Sequence, residues 1–191
     1  MESIARLPDA NDRVLTRSKI RASTGADVLV DAVDATDLVI GTRRRGDVLG
    51  AGANFRVVHV LVFNQARELL LQHIADGLRH AGSWGSSAAG FVLAGENYDA
   101  AAGRKLSEEL SVTSELQHVG NTAMLEGASI KFIGVYEASH EGPFHFDPTS
   151  ASAVEFLSLP AIRTYHAAGA RLFTPTFLTV LDFYESRIVA P

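Results

Sequence analysis

An α/β fold is the expectation from three features of the 191-residue chain. Runs of β-branched and aromatic residues at Val57 to Phe63 and Ile130 to Ala138 read as strands. Between them, Asp99 to Leu110 places Ala102, Leu106 and Leu110 four residues apart, as a helix with one buried stripe requires. Two further segments toward the C-terminus combine helical periodicity with residues that start helices.

The elements follow in order. Residues 1–26 carry scattered Arg, Lys, Asp and Ser without a sustained period and are read as an N-terminal extension. Val28 to Asp34 and Leu38 to Thr42 are predicted to form a strand pair through Ala35-Thr36-Asp37. Arg43-Arg44-Arg45 reads as a solvated loop, with a phosphate contact as the sharper alternative. Val57 to Phe63 is the strongest strand, followed by a turn at Asn64 to Arg67 and a partner strand at Glu68 to Gln72. Asn97 suits the N-cap of the helix over Asp99 to Leu110, and Asp99 lies in the first turn where the helix dipole favours an anion. Ile130 to Ala138 and Val154 to Ser158 are later strands. Ser158, with Pro160 two residues on, opens a helix to about Ala168 that Gly169 closes. The last helix starts near Thr174-Pro175 and repeats Phe177, Leu181 and Tyr184 on the face expected to cap the sheet. No internal repeat or low-complexity linker interrupts this order.

Composition narrows the function classes. With 47% hydrophobic and 20% charged residues the chain is not disordered, and no apolar run reaches the ~18 residues of a membrane span. Met1 to Ile20 has no apolar block of the kind a signal peptide needs, so a soluble cytoplasmic protein is the default expectation. Without cysteine there is no disulfide, thiolate ligand or cysteine nucleophile. A net charge of −5 argues against general nucleic-acid binding.

The chemistry concentrates at Gly90 to Val112. Arg104 and Glu108, and Lys105 and Glu109, stand four apart, and Lys105 and Glu108 three apart, so these charges share one helix face. Hard carboxylate oxygens of this kind suit magnesium or manganese, which bind through one or two carboxylates plus substrate phosphates. Taken alone, an Arg-Lys-x-x-Glu-Glu run is more often a solvated face laced with ion pairs. Other residues carry weaker signals. His59 lies in an apolar strand and reads as a core residue. His140 and His145 flank Gly142-Pro-Phe144, a loop placed to cover a ligand. Trp84 and Phe144 are candidates for stacking on a base or packing on a prenyl chain.

The run from Gly90 to Val112 closely resembles the signature of the Nudix family, G-x5-E-x7-R-E-U-x-E-E-x-G-U with U a bulky aliphatic. Gly90, Glu96, Arg104, Leu106, Glu108, Glu109 and Val112 fall in register, whereas Lys105 stands for a glutamate and Ser111 for a glycine. The flanking segments from Val28 to Tyr184 resemble the branch related to isopentenyl diphosphate isomerase. This resemblance implies a mixed β-sheet sandwiched between α-helices, formed by residues 27–191 as a single domain. It implies Mg²⁺- or Mn²⁺-assisted attack of water on a diphosphate linkage of a small-molecule substrate, either a nucleoside diphosphate derivative or a prenyl diphosphate. Glu108 and Glu109 would be metal ligands and Glu96 an auxiliary carboxylate. Arg104 would orient a ligand glutamate, and Gly90 would let the backbone approach the phosphates. Glu155 is the first candidate for a catalytic base in the later loop, where Asp147 also stands, with a strand-edge surface charge as its plainer reading. Lys105 either turns outward, pairs with Glu109 beside a single-metal site on Glu108, or takes a metal's place and contacts phosphate. Catalytically degenerate ligand binding is the alternative. Isomerisation in the resembling enzymes uses a cysteine, which this chain lacks. Specificity is expected from Asp76 to Ser83 and Ser139 to Ser152, and a homodimer is a family-level expectation.

Overall fold

A computed structural model of the chain describes residues 25, 27–48 and 50–188. Apart from Gly25, the expected extension over residues 1–26 lies outside the described residues. The sequence alternates strands and helices in the order β1 (Leu29–Val33), β2 (Val39–Arg44), α1 (Arg45–Val48), β3 (Phe55–Phe63), β4 (Leu69–Ile74), β5 (Trp84–Gly85), β6 (Ala88–Phe91), α2 (Tyr98–Leu110), β7 (Gln117–Glu126), β8 (Ser129–Ser139), β9 (Ala151–Leu157), α3 (Leu159–Ala167) and α4 (Pro175–Ile188).

The β3 strand is the centre of a seven-stranded mixed sheet. It runs parallel to β8, from Phe55 opposite Lys131 to Phe63 opposite Ser139, and antiparallel to β6 and β4. A central strand is buried on both faces, and eight of its nine residues are buried in agreement with its near-continuous apolar run. The side chains of Val58, Val60 and Val62 point to one face, where Ala101, Ala102, Leu106 and Leu110 of α2 cover them. Phe55, Val57, Leu61 and Phe63 point to the other, where Phe177, Val180, Leu181 and Tyr184 of α4 lie. The period of two along β3 thus sends alternate residues into two separate cores, one under each helix. Helices on both sides of a mixed sheet are the layout the sequence predicts.

The caps also match the expected ones. The Asn97 side chain accepts from the Ala100 N–H at 2.8 Å at the start of α2, and the Ser158 side chain accepts from the Ala161 N–H at 3.3 Å at the start of α3. Ser111, at the position of a glycine in the resembling signature, closes α2 in the left-handed region at φ 57°. Its hydroxyl donates to the His145 carbonyl at 2.9 Å, tying the loop after β8 to the end of α2.

The short strands β5 and β6 are not among the expected elements, and two further segments differ from expectation. Arg43-Arg44-Arg45 is not a loop: Arg43 and Arg44 finish β2, and Arg45 opens α1. The exposed hairpin edge allows this, because a strand with no buried face tolerates a basic run as readily as an apolar one. The ten-residue β7 is not anticipated by the residue pattern; it is an edge strand whose weak alternation of exposed and half-buried residues leaves little apolar contrast to read. Among the described residues no helix is long and apolar enough to cross a membrane.

Candidate functional site

Helix α2 follows β6 through a turn that Arg104 holds shut. Its Nε and Nη2 donate to the two oxygens of Glu96, each at 2.8 Å, and Nη2 also donates to the Phe91 carbonyl at 2.9 Å. The Leu93 N–H donates to Glu96 Oε2 at 2.9 Å. This fork-to-carboxylate pairing fastens the residues between Gly90 and Glu96 onto the second turn of the helix. Burial alone would raise the Glu96 pKa, but the hydrogen bonds from Arg104 and Leu93 and the charges of Arg104 and Lys105 outweigh it and leave it lowered. From the same guanidinium, Nη1 reaches Glu108 Oε2 at 3.2 Å.

One residue further on, Lys105 lies back across the Gly90 backbone. A Cβ at position 90 would stand 2.5 Å from Lys105 Cε and 2.8 Å from Cδ, so only glycine leaves this path open. The ammonium ends 2.6 Å from Glu109 Oε1 and 3.3 Å from Glu108 Oε2. The other Glu109 oxygen accepts from the Ala89 N–H at 3.2 Å and from Gln72 Nε2 at 3.3 Å. Gln72 is itself fixed by donating to the Ser87 carbonyl. Glu109 is therefore held by three donors from α2, β6 and β4, while the Glu108 side chain, 41% exposed, stands at the rim.

The N-terminal hairpin braces this arrangement. Asp31 Oδ2 accepts from the Gly95 N–H at 3.2 Å, and the Ala94 N–H donates to the Leu29 carbonyl at 3.0 Å. Asp37 in the hairpin turn takes Arg56 Nε at 2.7 Å on one oxygen and the Tyr98 hydroxyl at 2.9 Å on the other. Gln72, Ala89, Asp31 and Asp37 all escape sequence reasoning. Two of these contacts involve backbone N–H groups, which no residue type advertises, and the others join positions far apart in the chain.

The donor set does not fit the cation site that the resemblance implies. Both Glu96 oxygens accept from Arg104 and one also from Leu93, and the space between Glu108 and Glu109 holds the Lys105 ammonium. Among the described residues no group of three or more acidic, histidine or cysteine side chains is gathered in a form able to hold a metal ion. Glu96 acts as a strut for the turn, with both of its oxygens engaged.

Glu155 does not join the site. It stands opposite Leu71 in the β4–β9 pairing, and Leu71 belongs to the core under α4, whereas its neighbours Val154 and Phe156 pack on the α2 side. Strand alternation therefore turns Glu155 to the face away from Glu108 and Glu109. There it pairs with Arg171 Nη1 at 2.7 Å, whose guanidinium also lies over Trp84 and Tyr165. Glu155 is thus one half of a surface ion pair, and Trp84 is likewise on the wrong face to meet a ligand at α2. Changing Glu155 to Gln is expected to leave turnover within about twofold of the parent in steady-state assays, because the side chain touches no reacting group.

The histidines also sort by position. His59 is buried with its Nδ1 2.8 Å from the Ser86 hydroxyl, and burial, reinforced by the charge of Lys131, pushes its pKa down to about 3, so it is a neutral core residue. His140 Nδ1 accepts from the Gly142 N–H at 2.8 Å, and its ring lies 5.5 Å from that of Phe144. Phe144 continues to Phe156, centroids 5.9 Å apart, on the same side of the sheet as α2.

Comparison with known proteins gives the family and the fold. The profile of the NUDIX domain matches residues 53–177. An isopentenyl-diphosphate Delta-isomerase of Serratia proteamaculans is 28% identical over 165 residues, spanning 81% of this chain and 90% of its own. An uncharacterised Nudix hydrolase of Pseudomonas aeruginosa is 30% identical over 139 residues, spanning 72% and 82%. Among solved structures, the DR0079 protein of Deinococcus radiodurans superposes with a TM-score of 0.72 at 24% identity, over 82% of this chain and 99% of that one. The NUDIX domain of Shewanella oneidensis NrtR, solved with ADP-ribose, gives 0.58 at 16% identity over 72% and 90%. At such identities the structural matches speak for the fold alone. The profile spans well over half of the chain and contains every residue of the Arg104–Glu109 site, so this protein belongs to the Nudix family and has its fold.

Proposed function

We propose that this chain hydrolyses the diphosphate linkage of a small organic diphosphate, either a nucleoside diphosphate derivative or a prenyl diphosphate, at the face formed by β6 and the start and middle of α2. The observation that carries the reading is the Lys105 ammonium, set on the Gly90 backbone and aimed between Glu108 and Glu109. It supplies a fixed positive charge where phosphoryl oxygens arrive, at a turn kept rigid by Arg104. Glu108, at the rim, accepts the proton of the attacking water as its oxygen bonds to phosphorus and the bridging P–O bond breaks toward the departing phosphate. Isomerisation is the poorer reading although relatives carry that name, because the chain has no cysteine.

The test is release of phosphate or pyrophosphate from a panel of nucleoside and prenyl diphosphates, with Mg²⁺, with Mn²⁺ and with chelator. Release from at least one compound, abolished when Glu108 and Glu109 are both changed to Gln, is the expected result. A specific observation favours a second reading, binding without turnover: Glu109 is fully engaged by Lys105, Ala89 and Gln72, and Glu155 faces away. Silence across the panel with ligand binding retained would select it.

A further inference from the structure

We infer that Lys105 is a built-in cation that takes the place between Glu108 and Glu109 and excludes free divalent metal from it. The inference rests on the site of the proposed diphosphate chemistry but makes a claim of its own about metal.

Charge decides the matter. The cluster holds three carboxylates, Glu96, Glu108 and Glu109, and two cations, Arg104 and Lys105, within direct ion-pair range. Arg104 neutralises Glu96 through a two-pronged contact, and Lys105 neutralises Glu109 at 2.6 Å. What is left is about one net negative charge, on half-exposed Glu108. A bare divalent ion between Glu108 and Glu109 would meet an ammonium a few ångströms away. The like charge of the ammonium opposes such an ion at the very place where the two carboxylates would attract it.

The lysine cannot easily step aside. Its stem is confined over Gly90, its side chain is only 16% exposed, and Glu109 is pinned by Ala89 and Gln72 on the side opposite the ammonium. The arrangement is thus a charge lock assembled from α2, β4 and β6.

Titration calorimetry with Mn²⁺ alone tests this on the full chain. For the parent, no uptake of Mn²⁺ is expected in the low millimolar range. Lys105→Glu should take up Mn²⁺ alone at least tenfold more tightly than the parent, and Lys105→Gln, which removes the charge without adding an acid, should show the same gain in weaker form. Thermal melts confirm that each variant is folded, and either variant suffices if the other is not. Uptake of Mn²⁺ alone by the parent that disappears in Glu108→Gln/Glu109→Gln would overturn the inference, as would the absence of any gain in both lysine variants. Gain in the lysine variants with no catalysis from the panel would leave the charge lock standing and sink the hydrolase reading. Catalysis together with tight uptake of free Mn²⁺ by the parent would do the reverse.

Discussion

Replacing Arg104 by Gln is expected to lower stability by about 2 kcal/mol, because glutamine cannot make the forked contact to Glu96 and still reach the Phe91 carbonyl and Glu108. The figure sits below the ~3–5 kcal/mol of a fully buried pair because the Arg104 side chain is about a quarter exposed and water can reach what it leaves behind. For a domain of this size the change corresponds to a fall in melting temperature of roughly 4–8 °C. The same variant should show an altered acid limb. The Glu96 pKa is lowered in the folded chain, against its burial, by Arg104, Leu93 and Lys105. A carboxylate with a depressed folded pKa stabilises the fold above its unfolded pKa of about 4.5 and loses that contribution as pH falls through the folded value. Melting curves of the parent should therefore drop as pH goes from about 5 downward, and the Arg104→Gln curve should be flatter there. Equal slopes in the two proteins would show that the guanidinium does not hold the turn.

Much of the architecture is legible because it depends on local pattern. The α2 stripe, Asn97, Ser158, the buried run of β3 and the Phe177–Leu181–Tyr184 face each announce themselves within a few residues, and each stands where the pattern puts it. The box residues are legible for a different reason: their spacing resembles a known signature, and the profile covering residues 53–177 agrees. What the spacing cannot express is which way a long side chain goes. Outward, paired and metal-replacing placements of Lys105 all satisfy the same helix, and the deciding fact is the open path over Gly90, fifteen residues earlier on strand β6. Glu155 is lost to a similar limit. Its face follows from its opposition to Leu71, which is a matter of register between strands far apart in the chain, and a shift of one residue would have turned it toward α2. An edge strand such as β7 stays hidden because exposure removes the apolar contrast on which strand reading relies.

Because the Gly90 path is what directs the lysine, a methyl group there should act on the site without replacing any charged residue. In Gly90→Ala the new Cβ would overlap Lys105 Cε and Cδ, which approach to 2.5 and 2.8 Å, and the obstructing atoms are the far part of a flexible stem. The fold should give way cheaply, at about 1 kcal/mol, the low end of the usual range for overpacking. The ammonium, in contrast, has to leave its place 2.6 Å from Glu109, while the Ala89 and Gln72 donors keep that carboxylate where it is. A displacement of about 1 Å in a charge-bearing contact costs as much as a hundredfold in rate, so turnover of the best panel substrate should fall by at least about tenfold with the melting temperature nearly unchanged. The vacated gap between Glu108 and Glu109 should at the same time admit Mn²⁺ in the absence of ligand, which separates a moved lysine from a merely loosened fold. If Gly90→Ala keeps parental turnover and still refuses free Mn²⁺, the position of the ammonium does not govern this site, and the roles assigned to Lys105 in capture and in metal exclusion fail together.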